Sequence, residues 1–458
     1  MTKSGPSAVA ALYHWVHGKW TLLPARWRPF VVNLLVGMAI VVWIHLNPDS
    51  SMVKRQQDRG LDWLSRMVTN TPYAPQPDQP VVMVDVDSAT YAQWGEPWLT
   101  PADRIARIIA LLLDAEPAQI LVDFDLSRRT DLAPLADILS RHQGGKAAKT
   151  QLIFMKTQAS LLPANSRLPA FRDSALDELV ASNDNLHWAA PLYRPDPDGV
   201  IRHWQLVIGG CENDRLVLLP SVQLLSVMLS DGVDKSLEAL LAPDQQGCLA
   251  MPHFSGRIVL GSGKQIDLAG EQLQHRIVFA LPPNPESGYF PVDWQGRAVP
   301  ALTILSARDV LAAKRFSTGG LLTGAIVIIG ASHRDSGDIH LTPVGQMPGS
   351  LVLANSITAL QGLDQVQRPP FVLILLVDLL LILGVSWLFV VMSPFAATLV
   401  SSAVIALLVV PFSLLAFSQG VWLDFALPIL AVQMRSVFAK ATFSYHKVRR
   451  KGIKGVLK

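Results

Sequence analysis

GAIVIIGASHRDSGDIHLTPVGQMPGSLVLANSITALQG, residues 324–362, passes from an apolar run through a Gly-rich polar loop into a second apolar run. The run IVIIG predicts a buried β-strand that ends at Gly330, and Pro348-Gly349 predicts a turn. Over residues 351–360 the apolar residues recur at helical spacing, which predicts an α-helix. A strand, a loop and a helix in this order form the building block of an α/β sheet.

The chain before this stretch alternates between strand and helix patterns. Helix patterns occupy residues 56–70, 103–115 and 131–141, and strand patterns occupy residues 81–87, 119–125 and 151–157. This alternation predicts a largely parallel sheet with right-handed crossovers. The fold class expected from the sequence is therefore an α/β domain.

A different pattern follows in the second half of the region. Residues 187–207 predict a hairpin around the turn DPDG, because Gly199 tolerates positive φ. Residues 219–241 predict a helix, and residues 257–266 and 276–279 predict further short strands.

Half of the residues are hydrophobic, which is high for a soluble protein and indicates membrane-spanning segments. A span needs about 20 apolar residues to cross a hydrocarbon core of about 30 Å. The candidates are residues 29–46, 371–392, 395–417 and, more weakly, 421–438. The sequence therefore predicts four transmembrane helices, one at 29–46 and three within 369–438.

Positive charge at both ends decides the predicted orientation. The leader, residues 1–28, mixes lysine and arginine with tryptophan, and the tail, residues 439–458, ends in KVRRKGIKGVLK. Because cytoplasmic flanks of spans are rich in Lys and Arg, both ends are expected in the cytoplasm and residues 47–368 outside the membrane. The basic ends are expected to contact membrane lipid. The net charge of +3 gives no support to nucleic acid binding.

The chain has two cysteines, Cys211 and Cys248, and both fall in the region expected outside the membrane. An oxidising compartment permits a disulfide between them. Two buried free thiols are the alternative, because a cysteine also behaves as a small apolar side chain.

Particular residues carry a resemblance to a known family. The hairpin contributes Asp198, Gly199 and Arg202, and the opening stretch contributes Gly330, Asp338, Thr342, Pro343, Pro348, Gly349, Ala354 and Asn355. Together with the strands VVMVDVD and ILVDFD and the three closing spans, residues 50–440 resemble the type-two CHASE family of extracytoplasmic sensory domains.

The resemblance implies a multi-pass protein of the bacterial inner membrane with a periplasmic sensory domain. Receptors of this kind commonly continue into a kinase or cyclase domain, whereas this chain ends soon after the last apolar segment. A separate protein is therefore expected to provide the output. One departure is the run EPWLTPADR, where the family often has W-P-x-x-R, so no role is carried over to Arg104.

Four aspartates stand at the ends of two predicted strands: Asp85, Asp87, Asp123 and Asp125. The carboxyl ends of parallel strands share one edge of a sheet, where open α/β folds bind ligands. This arrangement predicts a pocket for a ligand or a hard cation. The alternative is structural: one aspartate of each pair caps the next turn or helix, and the other is solvated.

The same aspartates also raise an enzymatic hypothesis. The run VDVDSAT is similar to the D-x-D motif of haloacid-dehalogenase phosphatases, but the threonine of that motif is replaced by Ala89. This departure weakens the phosphatase interpretation.

The polar loop after Gly330 contains Ser332, His333, Asp335, Ser336, Asp338 and His340. This composition suits a transition-metal site or a hydrolase triad. The motifs G-x-S-x-G and H-E-x-x-H are absent, which favours a structural loop or the wall of a sensory pocket. In that interpretation Ser332 and Asp338 line the pocket, and Gly330 lets the chain turn at the sheet edge.

Asp378 lies inside an apolar span, roughly 10 Å below the expected membrane boundary. A carboxylate at that depth is costly, so we expect it to contact a Ser or Gln of a neighbouring helix or a partner subunit. The alternative is a protonated aspartate at a thin, wet interface.

These observations predict a sensory or ligand-binding membrane protein that signals to a separate partner protein, with a homodimer as one possible assembly. The second hypothesis is a scaffold or accessory subunit of an inner-membrane complex that has lost sensing. A metal-dependent phosphatase is the third. No catalytic residue, metal or cofactor is predicted.

Overall fold

The computed structural model describes residues 24, 27–47, 50–127, 129–142, 149–160, 162, 166–212, 215–233, 237, 239, 248, 257–269, 273–313, 320–363 and 365–423. These residues form two compact units. The first takes in the described chain up to Leu61, Arg368–Phe417 and the residues from Val421 onward. The second comprises Asp62–Gln367 with Ser418–Gly420.

Helices and strands alternate through most of the described chain. The helices are α1 (Arg28–Leu46), α2 (Ser51–Val68), α3 (Ser88–Gln93), α4 (Ala102–Leu113), α5 (Ala133–Arg141), α6 (Asp177–Ala181), α7 (Val222–Asp231), α8 (Ala307–Ala312), α9 (Gly349–Gly362), α10 (Phe371–Val391), α11 (Pro394–Val404) and α12 (Val410–Ser418). The strands are β1 (Val81–Val86), β2 (Gln119–Asp125), β3 (Gln151–Met155), β4 (Leu186–Ala189), β5 (Tyr193–Pro195), β6 (Ile201–Trp204), β7 (Val207–Glu212), β8 (Arg215–Pro220), β9 (Arg257–Val259), β10 (Gln265–Asp267), β11 (Pro291–Trp294), β12 (Arg297–Pro300), β13 (Leu302–Ser306), β14 (Ile326–Ala331), β15 (Ile339–Thr342) and β16 (Gly345–Pro348).

A six-stranded sheet in the order β13-β1-β14-β2-β3-β4 forms the centre of the second unit. Every neighbouring pair of strands in this sheet is parallel. The strand of the opening sequence stretch, β14, lies between β1 and β2 and is buried throughout. The predicted α/β fold with a largely parallel sheet is therefore confirmed.

The two faces of the sheet are covered by different helices. On one face, Val84 of β1 and Ile329 of β14 join a large apolar cluster with residues of α4 and α5. Helix α9 contacts β14 and β1. Because side chains alternate along a strand, Met83 and Asp85 point to the face opposite Val84. Ser350 of α9 lies on that face, with its Oγ 3.7 Å from the sulfur of Met83.

Helix α9 is buried along almost its whole length, and Asn355 is a polar residue at its centre. The Asn355 Oδ1 accepts a hydrogen bond from the Leu281 N–H at 2.8 Å. Its Nδ2 donates to the carbonyl oxygens of Leu281 at 2.9 Å and Leu351 at 3.0 Å. The side-chain amide thus satisfies the buried backbone of Leu281 in the way that a neighbouring strand would.

Replacing Asn355 by leucine should lower the free energy of unfolding by about 2–4 kcal/mol, because two buried backbone groups of Leu281 lose their partners. The melting temperature of the purified protein in detergent measures the effect. The control is Ser356→Ala at the next position, since the Ser356 Oγ donates to the Val352 carbonyl of its own helix and its removal leaves both backbone groups of Leu281 paired. We expect that control to cost less than about 1 kcal/mol. Equal losses in the two variants would contradict the role given to Asn355.

Three elements differ from the sequence prediction. Strand β13 forms one edge of the sheet, although its run LTILS directly follows β12 and carries no separate strand signal. The hairpin at DPDG is limited to β5 and β6, whereas β4 pairs with β3 in the main sheet. Helix α7 begins at Val222 because the Ser221 Oγ accepts a hydrogen bond from the Leu224 N–H at 3.3 Å, and Leu219 belongs to β8.

The predicted strand at residues 276–279 is also wrong. In the structure this segment contributes a single isolated bridge, between Arg276 and His203 of β6. The segment is buried, so its apolar pattern reflects packing against the domain and not a ladder.

The two cysteines form a disulfide. Cys211 of β7 is bonded to Cys248, with their Cα atoms 5.5 Å apart. Both are buried against Leu168. Of the two alternatives left open by the sequence, the disulfide is the one the structure contains.

Apolar helices make up most of the described part of the first unit. Two are long and apolar enough to cross a membrane: Phe371–Val391, and Phe395–Ser418 with a π-helical turn at Ile405–Val409. A third span results only if Phe30–Leu46 and Ser51–Val68 are taken together as one broken span. The predicted fourth span at 421–438 falls outside the described residues except for its first three positions, as do the tail and most of the leader.

Asp378 of α10 is buried, with 2% of its surface exposed. It shares the buried side of α10 with Ile382 and Ser386, one and two turns further on. Ile382 packs with Val41 of α1 in one apolar cluster. The burial agrees with a position against other helices, and the polar partner of Asp378 stays a prediction.

Candidate functional site

The carboxyl ends of β1, β14 and β2 bring Asp85, Gly330 and Asp123 into one row. Asp85 is paired with Gly330 in register, and Val122 is paired with Ile329, so Asp123 comes level with Gly330 on the other side. All three face α9, whose residue Ser350 lies directly over Gly330.

Asp85 is buried. The structural alternative had one aspartate of each pair capping the next turn or helix and the other in solvent, so the burial of Asp85 contradicts it. The Ser332 hydroxyl donates to its Oδ2 at 2.5 Å, and its Oδ1 has no hydrogen-bond partner among the described residues. Burial raises the pKa of Asp85 to about 6, although the Ser332 hydrogen bond opposes the shift; the nearby Asp87 adds to it.

Asp87 and Asp125 are engaged by local backbone, as the structural alternative predicts. Asp87 is the N-cap of α3 and accepts a hydrogen bond from the Thr90 N–H at 2.7 Å. Asp125 accepts from the Ser127 N–H at 2.9 Å and from the Thr157 hydroxyl at 3.0 Å. Within the described chain, no group of three or more His, Cys, Asp or Glu side chains is placed to hold a metal ion.

Asp123 lies in an unusual electrostatic environment. Desolvation and, to a smaller extent, the negative charge of Asp338 raise its pKa to about 7, and the positive charge of His340 opposes the shift. The Tyr193 hydroxyl belongs to the same group: burial raises its pKa, Ser356 opposes this, and Asp123 and Asp338 add to it. We call Asp123, Tyr193, Asp338 and His340 the acidic cluster.

The polar loop supplies two members of the acidic cluster. His340 Nε2 lies 2.8 Å from the Asp338 Oδ1, and this contact raises the pKa of His340. The Asp338 carbonyl accepts a hydrogen bond from the Gly349 N–H at 2.9 Å, at the start of α9. A Cβ at residue 349 would collide with the Asp338 carboxylate, so a larger residue there would displace that carboxylate.

The other polar residues of the loop have separate partners. Ser332 bonds to Asp85 and not to a histidine, so it has no base of the kind that a hydrolase triad requires. The His333 ring stacks on Tyr91 of α3 with centroids 3.9 Å apart, and burial lowers its pKa. The Ser336 Oγ accepts from the Asp338 N–H at 3.2 Å within the loop.

Gly330 has a different role from the one predicted. It lies inside β14 with ordinary strand backbone, and the chain does not turn there. A Cβ at this position would lie 2.5 Å from the Cβ of Ser350. Gly330 is therefore glycine because α9 approaches the sheet closely at this point.

The raised pKa values of Asp123 and Asp85 predict how stability depends on pH. Both carboxyl groups have a higher pKa in the folded protein than the ordinary value of 3.8, so the folded state binds their protons more tightly than the unfolded state does. Their contribution to the free energy of unfolding is therefore present in full below about pH 4 and is lost as pH rises through about 6 for Asp85 and about 7 for Asp123. His340, whose pKa is also raised, acts in the same direction above pH 6.5. His333, whose pKa is lowered, acts in the opposite direction.

We therefore expect Asp123→Asn to flatten the fall in melting temperature between about pH 4.5 and about pH 8, since asparagine does not titrate. Asp125→Asn is the matched control, because Asp125 lies on the same strand at its exposed end. Melting curves of the purified protein at stepped pH values give the comparison. A slope that is unchanged in Asp123→Asn, or equally reduced in the control, would contradict the assignment.

A second set of charged residues surrounds Arg202 of β6, and the sequence did not predict that they lie together. Its Nε and Nη2 donate to Asp62 at 3.0 and 2.9 Å, and its Nη1 donates to Asp196 at 2.9 Å and to Asp198 at 2.8 Å. Nη2 also donates to Asp198 at 2.8 Å, so all five N–H donors are used. Arg276 bonds to Asp62 from a further segment.

Burial and pairing act against each other in this network. Desolvation lowers the pKa of Arg202, but its hydrogen bonds to Asp198, Asp62 and Asp196 raise it by more. Desolvation raises the pKa of Asp196, but the hydrogen bonds and charges of His203 and Arg202 lower it by more, so the net shift is downward. Arg202, whose pKa is raised, and Asp196 and Asp198, whose pKa values are lowered, are therefore charged at neutral pH.

The C-terminal half of α2 is attached to several parts of the second unit. Asp62 binds Arg202 and Arg276, and the Arg66 Nε donates to the Pro343 carbonyl in the β15–β16 turn at 2.6 Å. Just after α2, the Thr69 hydroxyl donates to the Phe279 carbonyl at 2.8 Å. The family resemblance singled out Arg202 and Pro343 but not their partners Asp62 and Arg66, which are 140 and 277 positions away along the chain.

The family to which the chain belongs is shown by a comparison with family models. The model described as the CHASE2 domain matches residues 35–393, which is more than half of the chain. No curated protein and no solved structure matches the chain. The match includes the hairpin, the polar loop and α9, which carry the geometry described above. The chain is therefore a member of the CHASE2 family of extracytoplasmic sensory domains.

Proposed function

We propose that this protein senses a condition or a small molecule outside the bacterial inner membrane and relays the change to a separate partner protein. The family match supports the sensory part. The two apolar helices at Phe371–Val391 and Phe395–Ser418 support a membrane location. The relay rests on α2, which follows the first apolar helix along the chain.

The attachment of α2 is the observation that carries the proposal. Asp62 is held by two arginines in surroundings that exclude most water, and Arg66 is held by the β15–β16 turn. A change in either hairpin therefore alters contacts of α2 directly, which is what a relay element requires. An isolated surface helix would lack this dependence.

The topology in this proposal has four crossings, with both ends in the cytoplasm and residues 47–368 outside. The Cys211–Cys248 disulfide supports an outer location for the domain, because disulfides persist in oxidising compartments. The basic leader and tail support cytoplasmic ends that contact anionic lipid.

The proposed function involves no catalysis. In a D-x-D phosphatase the first aspartate attacks phosphate and the second exchanges protons, which requires both carboxylates to be accessible. Here Asp85 is buried and bonded to Ser332, and Asp87 caps α3. Metal-dependent phosphatase turnover that is abolished by Asp85→Asn would overturn this part of the proposal.

An accessory subunit of an inner-membrane complex is the second candidate. The observation that favours it is the loop after α3, where Trp98 is 97% exposed and Leu99 is 56% exposed. Exposed large apolar side chains of this kind occur at protein interfaces.

Mass spectrometry of the proteins that co-purify with the tagged chain, after gentle detergent extraction from its native membrane, separates the two candidates. Recovery of a kinase or cyclase supports the sensory relay. A stoichiometric set of transport, secretion or polymer-export subunits supports the accessory role. A Trp98→Ser variant is the control, since loss of the recovered set in that variant assigns the contact to the exposed loop.

A further inference from the structure

The acidic cluster gathers its members from separate elements of the fold. Asp123 comes from β2, Tyr193 from β5, His340 from β15, and Asp338 from the loop before β15. The neighbouring elements β14 and α9 face it with Gly330, Ser350 and Ser356, which do not titrate. The titratable Asp85 of β1 lies on the other side of Gly330 and is bonded to Ser332. Asp123 lies beside Gly330 and Ser350, and the Asp338 carboxylate lies against Gly349, so both carboxylates are near the first residues of α9. Among the described residues, the charged groups that act on Asp123 are Asp338 and His340.

The charge of this cluster depends on two protons. When Asp123 is neutral and His340 is protonated, the positive charge of His340 balances Asp338 and the cluster has no net charge. When both protons have left, Asp123 and Asp338 are both negative, and like charges in partly buried surroundings repel. Each proton is exchanged with solvent water, and no other group is oxidised, reduced or transferred.

The β15–β16 hairpin links this cluster to α2. His340 is paired with Met347 inside the hairpin, and the hairpin turn accepts the hydrogen bond from Arg66 at Pro343. A bridge between Leu341 and Val200 connects the same hairpin to the segment that leads into β6. The hairpin therefore touches the titrating groups at one point and α2 at another.

We propose that the domain senses acidity outside the membrane: proton uptake by the acidic cluster tightens the β15–β16 hairpin, and Arg66 passes this change to α2. This inference rests on the proposed sensory function and names its signal as the proton. The acid form holds the hairpin against the sheet, and the alkaline form loosens it through repulsion between Asp123 and Asp338.

Hydrogen–deuterium exchange of the full-length protein in nanodiscs, at about pH 5.5 and about pH 8 and corrected for intrinsic rates, tests the proposal. We expect residues 339–348 and 62–68 to exchange about tenfold faster at the higher pH. Asp123→Asn should keep both segments slow at both pH values, because asparagine imitates the protonated acid. Asp125→Asn should behave like the wild type. A pH response that survives in Asp123→Asn overturns the proposal.

Arg66→Gln tests the connection separately. With the Pro343 hydrogen bond weakened, residues 339–348 should keep their pH response while residues 62–68 lose it. If residues 62–68 respond as in the wild type, the route through Arg66 is wrong. If Asp123→Asn does not fold, His340→Gln takes its place. This variant removes one of the two titrating protons, so it should reduce the pH response of both segments about twofold. An unreduced response overturns the proposal.

The outcome is independent of the partner. Exchange is measured on the isolated protein, so a missing partner in the co-purification experiment leaves this result unchanged and counts against the relay alone. Exchange that does not depend on pH, in a protein that does recover a kinase or cyclase, counts against the proton as the signal and leaves the sensory function in place.

Discussion

Replacing Arg202 by methionine is expected to lower the free energy of unfolding of the second unit by about 3–5 kcal/mol. Arg202 is 6% exposed and uses every N–H donor on three aspartates. Methionine fills a similar volume but leaves Asp196 and Asp198 without their main cation and Asp62 with Arg276 alone. The large effect comes from Asp62 and Asp196, whose side chains are 11% and 14% exposed and would stay buried with less compensation; Asp198 is more than half exposed and contributes less.

Lysine should not rescue the network. Its ammonium group has three donors and no planar fork, so it cannot serve two oxygens of Asp62 and two further aspartates together. We therefore expect Arg202→Lys to lose at least about 2 kcal/mol. Thermal unfolding of the purified protein measures the loss in both variants, and the temperature at which α2 becomes susceptible to a protease reports the unfolding.

The matched control is Arg257→Met, which removes another Arg–Asp pair from the same unit. Arg257 lies 3.3 Å from Asp267, but its side chain is 58% exposed. Exposed pairs contribute about 0–1 kcal/mol, so this variant should melt close to the wild type. If Arg202→Met and Arg257→Met have the same small effect, the Arg202 network is not a main support of the fold.

The difference between the strands and this network shows which parts of the molecule the sequence could predict. Alternation of strand and helix is a local signal, and it gave the parallel sheet, the strand β2 at its observed bounds and the hairpin turn at Gly199. Arg202 was recognised from the family resemblance, but Asp62 is 140 positions away. Nothing in the local pattern of either residue indicates the other.

The aspartates at the strand ends make the same point. A helix cap is a local feature, and the position of Asp87 three residues before Thr90 is enough to predict it. The burial of Asp85 and the partial burial of Asp123 depend on α9 and on the β15 segment, which arrive more than 200 residues later. The raised pKa values that define the acidic cluster therefore could not be predicted from the strand sequences.

Replacing Gly330 by alanine should lower the free energy of unfolding by about 3 kcal/mol, at the upper end of the usual cost of overpacking. The added Cβ would lie 2.5 Å from the Cβ and 2.9 Å from the Oγ of Ser350. Relief is difficult because Gly330 belongs to a strand with neighbours on both sides, and Ser350 belongs to the first turn of a buried helix. The melting temperature of the purified protein measures the loss.

Removing the obstructing atoms provides the decisive comparison. Ser350→Gly alone should cost about 0.5 kcal/mol through the poor helix propensity of glycine. In the double variant Gly330→Ala with Ser350→Gly, the new Cβ occupies the space that the serine left, so the combined loss should be clearly smaller than the sum of the two single losses. Gly384→Ala is the control, because a Cβ at residue 384 meets no atom within 4 Å, and it should not lower the melting temperature. Strictly additive losses would mean that Gly330 is required for its backbone and not for the close approach of α9.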